Sequence, residues 1–429
     1  MSTKAFYSGF VNLKYRPTSD DMVCLFRVQP AKGVSMKVAA GAVAGESSIG
    51  TWTELTTLTK RIKKIGGKAF SIDGNYVKVA YPSILFEEGS MPQVWSAVCG
   101  NIFGMKATTG LRLMDIHWPD VLRDSFPGPQ FGIDGIRKIF KEKKRPLIAS
   151  VPKPKIGMTS EEHANIGYQV WTGGLDLLKD DENLTDQKFN RFDKRARLTM
   201  KMRDKAEKET GEKKSYLLNI TAETKEMLRR AKLSYDLGNE FVMVDILTAG
   251  WSGLQSVREF CKDHKMAIHA HRAFHAAFDR NPHHGLTMLA LAGCTRLVGT
   301  DTLHIGTVIG KLEGGQHLID DLQAEITKPK VTEHHDMLAN NWGKIKPLLP
   351  TSSGGLHPGM TPKLIEIFGN DVLIQMGGGI HGHPDGSKAG AMALRQSIDA
   401  SLKKIDLAEY AKTHKELKAA IDTWGIYKG

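Results

Sequence analysis

From about residue 145 onward the chain repeats one pattern: a short apolar run, a polar or glycine-rich stretch, then a segment with helical periodicity. The apolar runs are RPLIASV (145–151), GLDLLKD (174–180), SYLLNIT (215–221), FVMVDIL (241–247), MAIHAH (266–271), RLVGT (296–300), PLLPTS (347–352) and VLIQMG (372–377). Segments such as EEHANIGYQVW, AETKEMLRRAKLSYDLG, LQSVREFCKDH and TPKLIEIFGN lie between them, and AGAMALRQSIDASLKK follows the last. A run that is apolar throughout suits a strand buried on both faces, and parallel strands need helical crossovers. Eight such units in about 260 residues predict a (β/α)8 barrel of TIM type.

Residues 1–125 do not alternate in this way. FVNLKYRP, DMVCLFRVQP, NYVKVAYP and VWSAVCGNIFG mix strand and helix patterns, which predicts a separate α+β domain of ferredoxin-like type. DSFPGPQFGIDGIR, rich in proline and glycine, reads as the linker. The barrel is expected over 126–404, and DLAEYAKTHKELKAAIDTW makes 405–429 a helical extension.

At 429 residues, 41% of them hydrophobic and 25% charged, the composition is that of a soluble globular protein. Residues 1–16 carry no continuous apolar region of a secretory signal. VAAGAVAG (38–45) is far shorter than the ~20 residues that span a bilayer. A cytoplasmic protein without a membrane partner is therefore expected. The four cysteines are scattered with no CxxC, so they suggest free thiols, neither a disulfide framework nor a thiolate zinc site. A net charge of +12 raises nucleic acid as a partner. However, the basic runs KRIKK and KEKKR lack interleaved aromatics, so they read as solvated faces, and an anionic substrate accounts for the excess equally well.

In such a barrel the active site forms where the strands end. The first run ends in VPKPKIG, where alternation turns Lys153 and Lys155 the same way. The second ends in KDDEN: Lys179 and Asp181 share a face, Glu182 sits at the loop edge, and Asp180 points away. Two carboxylates suit Mg²⁺, a small hard cation that takes oxygen ligands. An ammonium is no ligand, so Lys179 either neutralises the acids or loses its proton and reacts with CO₂, giving a carbamate that is a third carboxylate. Ordinary surface charge on a solvated strand end is the competing reading.

The fifth run ends in HAHRAFH. His269 and His271 alternate onto one face as in zinc sites, but Arg272 directly after them is a phosphate-binding group. TLHIGTVIGKLEGG then offers His304, and Lys311 in a glycine-punctuated loop suited to closing over substrate. The last two runs end in SSGG (352–355) and QMGGG (375–379), where glycines expose backbone N–H groups to an anion. Together these ends describe an enzyme acting on a small, doubly phosphorylated substrate through a metal-stabilised enediolate.

GGLDLLKDDEN, KPKIG, HAHRAFH, GKLEGG, SSGGLHPG and QMGGGIHGHPDG, with AGESSIGTW and GNIFGMKA in the first domain, resemble the large chain of ribulose-1,5-bisphosphate carboxylase/oxygenase (RuBisCO). The resemblance implies that Lys179 is carbamylated by an activating CO₂ and that Asp181 and Glu182 complete the Mg²⁺ ligands. It makes Lys153 the base that forms the enediol, Lys155 its neighbour, and His271 a second acid/base group. Arg272 and His304 would hold one phosphate. Thr51, Trp52, Gly355, Gly377 and Gly378 would hold the other, with Ser353 on the sugar backbone and Gly354, Gln375 and Met376 beside them. Lys311 would close over the site, paired with Glu46. Glu46, Thr51, Trp52 and Asn101 would come from a partner subunit, so a homodimer or ring of dimers is implied.

Val151 stands where the family usually has threonine, which removes a hydroxyl near the substrate. The compact length resembles archaeal form III enzymes, which work without small subunits on nucleotide-derived ribulose bisphosphate. A RuBisCO-like enolase or isomerase that fixes no CO₂ is the alternative, and the full set of lysines and phosphate contacts argues against it. A basic nucleic-acid-binding protein on an inactive barrel leaves the strand ends unexplained.

Overall fold

The computed structural model describes residues 3–51, 53, 55–309 and 315–427, with side chains from residue 6. The chain forms two compact units: Met1–Gly128 with Phe274–Gly299 and Lys328–Ile345, and Pro129–Ala273 with Thr300–Thr327 and Lys346–Gly429.

The second unit holds eight parallel strands: β1 (Leu147–Ser150), β2 (Leu177–Lys179), β3 (Ser215–Leu217), β4 (Phe241–Asp245), β5 (Ala267–His271), β6 (Thr302–His304), β7 (Leu349–Ser353) and β8 (Leu373–Met376). They pair in the order β3-β2-β1-β8-β7-β6-β5-β4. The ring closes between its ends, where Ile220 N donates to Met243 O (3.0 Å) and Met243 N to Leu218 O (2.8 Å). The expected TIM barrel is therefore present.

Its interior is one apolar cluster containing Leu147, Ala149, Leu177, Leu217, Phe241, Met243, Ala267, Leu349 and Leu373. Side chains of a strand alternate, so the inward positions that follow toward the carboxyl ends are Val151, Lys179, Asn219, Asp245, His269, His271, Thr351, Ser353 and Gln375. The apolar layer thus gives way to a polar one at the ends where a barrel carries its chemistry.

The sixth run is displaced from its expected place. Arg296–Val298 ends the helix Met288–Val298, Gly299 (φ +103) caps it, and the strand is Thr302–His304. That helix is buried along its whole length, so it has no polar stripe to separate it from a buried strand. At the other end of the barrel Asp301, buried, fastens three backbone groups: Oδ1 accepts from Phe131 N (2.6 Å) and Gly132 N (3.3 Å), and Oδ2 from Ile268 N (3.1 Å). Within the proline- and glycine-rich stretch, Gly132–Phe140 is helical. The C-terminal residues form the helices Leu407–Ala411 and Lys415–Trp424.

The first unit is α+β. Its five-stranded sheet runs Gly285–Leu286, Thr108–His117, Asp21–Pro30, Tyr76–Pro82, Lys68–Asp73, antiparallel except at the first pair. Val23, Leu25, Ala80, Met114 and Leu338 share one core cluster there. All of VAAGAVAG but Val38 is the buried body of the helix Met36–Glu46, and a Cβ at Gly41 would lie 2.0 Å from Tyr7 O, so only glycine permits that approach. No helix among the described residues is long and apolar enough to cross a membrane.

Candidate active site

At the end of β2, Lys179 is fully buried and its Nζ donates to Asp180 O at 2.8 Å. Burial lowers its pKa, while the charges of Glu182, Asp245, Asp181 and Asp180 pull the other way. Asp180 does turn away, into a cage. Its carboxylate accepts from Asn219 N (3.0 Å), Arg195 Nε (3.3 Å) and the Tyr216 hydroxyl, with His163 Nε2 at 3.1 Å. Burial would raise this carboxyl, but Arg195, His163 and Tyr216 hold it down at about 2. The neighbouring strand end is thereby pinned from behind.

Across the strands, Lys153 Nζ donates to Asp181 Oδ2 at 2.8 Å, and Asn183 Nδ2 donates to Oδ1 at 3.1 Å. Burial pushes Asp181 up, and Lys153 outweighs it and leaves the carboxyl lowered. Glu182 lies 3.8 Å from both Lys155 Nζ and His271 Nε2. His271 Nδ1 sits 2.9 Å from Asp245 Oδ1. Asn219, buried, links the two sides: its Nδ2 reaches Glu182 O (3.4 Å) and Asp245 Oδ2 (3.3 Å).

Asp245 and Asn219 were not singled out in the sequence. Both stand on the inward face where the fourth and third runs end, so the rule that found Lys179 finds them too.

Arg272 and His304 are buried at the ends of β5 and β6, and the His271 and His304 rings meet edge to face with centroids 5.3 Å apart. A Cβ at Gly306 (φ +93) would lie 2.5 Å from Arg272 Nη2, so this glycine lets the guanidinium settle against the backbone. His269 is a core histidine bonded through Nδ1 to Thr302 Oγ1 (2.6 Å), and burial lowers its pKa strongly. It therefore stays neutral.

After β7, Gly354 (φ +127) and Gly355 (φ +77) turn the chain out, and Gln375 Nε2 donates to Ser353 Oγ at 3.2 Å. After β8, Gly377 faces Lys153: a Cβ there would lie 2.9 Å from Lys153 Cε. Gly378 has open space where a Cβ would be, and Met376 is buried behind it. Lys153, Lys155, Lys179, Asp181, Glu182, His271, Arg272, His304, Ser353, Gly354, Gly355 and Gln375–Gly378 all belong to the second unit, at the carboxyl ends of its strands.

In the first unit Glu46 ends the helix Met36–Glu46 and Asn101 opens the turn Asn101–Gly104. Both line one cavity of about 430 Å³. Thr51 lies on the loop after it. Trp52 and Lys311 lie outside the described residues.

The description "Ribulose bisphosphate carboxylase large chain, catalytic domain" matches residues 132–424, and its N-terminal domain counterpart matches 9–122. The chain belongs to the RuBisCO large-chain family. The ribulose bisphosphate carboxylase of Methanosarcina barkeri is 50% identical over 421 residues, 97% of this chain and 98% of the relative. That of Pyrococcus abyssi is 49% identical over 427 residues, 99% and 98% of the two chains. The dimeric archaeal RuBisCO from Hyperthermus butylicus superposes with a TM-score of 0.94 at 46% identity, covering 98% of this chain and 100% of that one. The octameric RuBisCO from Pyrococcus horikoshii, solved with sulfate ion, gives 0.91 at 48% identity over 99% and 98%.

A RuBisCO metal site can be tested against these side chains. Among the described residues no three His, Cys, Asp or Glu side chains group so that they could hold a metal ion. Asp181 and Glu182 supply two carboxylates, and the third position at this strand end is Lys179. A buried amine whose pKa burial has lowered is suited to lose its proton and take up CO₂. The donor set fits Mg²⁺ once Lys179 carries that carboxylate.

Proposed function

We propose that this chain is a ribulose-bisphosphate carboxylase, adding CO₂ and water to ribulose 1,5-bisphosphate to give two 3-phosphoglycerates, with O₂ as the competing reactant. The observation that carries this is the convergence at one barrel mouth of the Lys179–Asp181–Glu182 wall, the Lys153–Asp181 pair (2.8 Å) and the Asp245–His271 pair (2.9 Å). Near 50% identity over the full length of carboxylases supports it.

Mg²⁺ would be held by Asp181, Glu182 and the Lys179 carbamate, and when bound supplies a Lewis acid that polarises the substrate carbonyl. Lys153, held on Asp181, is placed to take the proton from the carbon beside that carbonyl. Lys155 lies next to it against the substrate. His271, with Nδ1 fixed on Asp245, presents Nε2 as the second proton-transfer atom. Arg272 as a charged donor and His304, kept neutral by burial, as an uncharged one bind one phosphate. The backbone of Gly354, Gly355, Gly377 and Gly378 cradles the other, with Ser353, Gln375 and Met376 beneath the sugar.

Glu46, Thr51, Trp52 and Asn101 complete the site of a second copy, and Lys311 closes over it against Glu46. The assembly is then a homodimer or a ring of dimers, without small subunits, in the cytoplasm of an archaeon. There it would serve nucleotide (AMP) salvage or carbon fixation, without nucleic acid or membrane partners.

The test is anaerobic incubation with Mg²⁺, labelled bicarbonate and ribulose 1,5-bisphosphate. Acid-stable label in 3-phosphoglycerate is the expected result. Consumption of the sugar without label would instead support the enolase reading.

A further inference from the structure

The two glycine loops are packed on each other and on the chain's C-terminal segment, with backbone against backbone at Gly379 and Gly359. Gly379 abuts the loop after β7: a Cβ there would lie 2.3 Å from Leu356 O and 2.6 Å from His357 Cα. Two residues further along that loop, a Cβ at Gly359 would lie 2.0 Å from Gly425 O, and Tyr427 N donates to Gly359 O at 3.0 Å. Trp424 closes the triangle. Its Cζ2 is 3.4 Å from where a Cβ of Gly382 would be, and its ring centroid is 6.0 Å from that of His357 and 6.5 Å from that of His383.

These contacts are tight in a particular way. At Gly379 and Gly359 a glycine stands where no Cβ fits, so a shift of one segment is passed to the next rather than absorbed, while Trp424 packs on Gly382 and the two histidine rings at ordinary contact distance. The strap is itself fixed, since Gly425 (φ +77) caps the helix Lys415–Trp424 in a conformation that L side chains rarely adopt. Ser397 Oγ, on the helix Gly386–Leu402, donates to Pro358 O (2.7 Å) and His383 Nε2 to Glu416 O (2.9 Å) on the helix Lys415–Trp424, anchoring both loops to helices near the C-terminal end.

We propose that Trp424–Tyr427 is a positioning strap that sets the spacing of the loops after β7 and β8, and through it the affinity for the phosphate they cradle. The proposal rests on the reading of these loops as a phosphate site. Trp424 touches no substrate and acts through His357, His383 and Gly382, while Gly425 and Tyr427 hold Gly359. Losing it lets the two sets of backbone N–H groups drift apart, which weakens binding and leaves Lys153 and His271 in place.

The test uses the full chain with Trp424→Ala, Trp424→Phe and Gly359→Ala. Inorganic phosphate is titrated calorimetrically in an Arg272→Ala background, so that the binding read belongs to the glycine loops. KM and kcat for ribulose bisphosphate are measured in the otherwise unaltered chain. Trp424→Ala is expected to weaken phosphate binding and raise KM about tenfold with kcat within about twofold, because a small displacement costs binding that ground and transition states share. Trp424→Phe should restore most of the loss. Gly359→Ala, which forces the strap away, should reproduce it even if Trp424→Ala fails to fold. Unchanged phosphate affinity in Gly359→Ala, or a fall in kcat equal to the rise in KM, overturns the strap. Phosphate binding is read without turnover, so wild-type protein that binds phosphate in a Trp424-dependent way yet makes no 3-phosphoglycerate removes the carboxylase reading and leaves the strap.

Discussion

His271 Nδ1 lies 2.9 Å from Asp245 Oδ1, and this contact decides which ring nitrogen faces the substrate. Ala273 N also approaches Nδ1, at 3.2 Å, but the shorter contact is to a carboxylate that accepts only, which favours the proton on Nδ1 and the lone pair on Nε2, 3.8 Å from Glu182. Burial first and then the Lys179 ammonium lower the ring's pKa against Asp245 and Glu182, so the ring is neutral at physiological pH while Lys179 is still an amine. Asp245 is itself held by Asn219 Nδ2 (3.3 Å).

Asp245→Asn keeps the volume but offers the ring an amide in place of the carboxylate. The tautomer is then no longer imposed, and kcat should fall on the order of 10²-fold with little change in KM or in the thermal midpoint. Steady-state kinetics at saturating bicarbonate check this, and wild-type turnover would remove His271 from the proton-transfer steps.

Gly377→Ala places a methyl 2.9 Å from Lys153 Cε, the flexible end of a side chain, so the fold can yield while the lysine moves. Lys153 should then lose its 2.8 Å bond to Asp181. The expected outcome is about a tenfold drop in kcat at unchanged stability. Exchange of the substrate's acidic proton with solvent reads the step directly, and a normal exchange rate would contradict the placement of Lys153 as base.

Most of this arrangement was legible because two periods carried it. The eight apolar runs announced a barrel, and alternation by two picked Lys179 and Asp181 out of a run of four charges. The sixth strand was not legible: Met288–Val298 is buried all round and hides the helical period, while the strand itself is three residues long. Asp180 could be turned away from the site by parity, but its cage comes from Tyr216, Arg195 and His163 on other elements. Pairings of that kind are made by the closed barrel and leave no local trace. The strap at Trp424 is similar, since a glycine at 359 announces nothing until Gly425 lies against it.

Asp301 gives a prediction about stability. Burial, against the backbone bonds from Phe131, Ile268 and Gly132, pushes its carboxyl up to about 6 from an ordinary 3.8. Between about pH 4 and 6 the folded chain therefore holds a proton that the unfolded chain releases, so stability falls as pH rises through that window. The loss is complete above about 6 and is on the order of 3 kcal/mol. Asp301→Asn removes this slope. Urea unfolding at several pH values should show wild type gaining on the variant as pH falls from 7 to 4, and parallel profiles would contradict the assignment.

The central claim is that Lys179, an amine among carboxylates, becomes a carboxylate itself. ¹³C NMR of the protein with ¹³CO₂ and Mg²⁺ tests it most directly. A carbamate resonance that appears with CO₂ and Mg²⁺, is lost in Lys179→Ala, and disappears together with carboxylation and tight bisphosphate-analogue binding is the predicted result. A resonance that survives Lys179→Ala, or a variant that still fixes CO₂ normally, would contradict it.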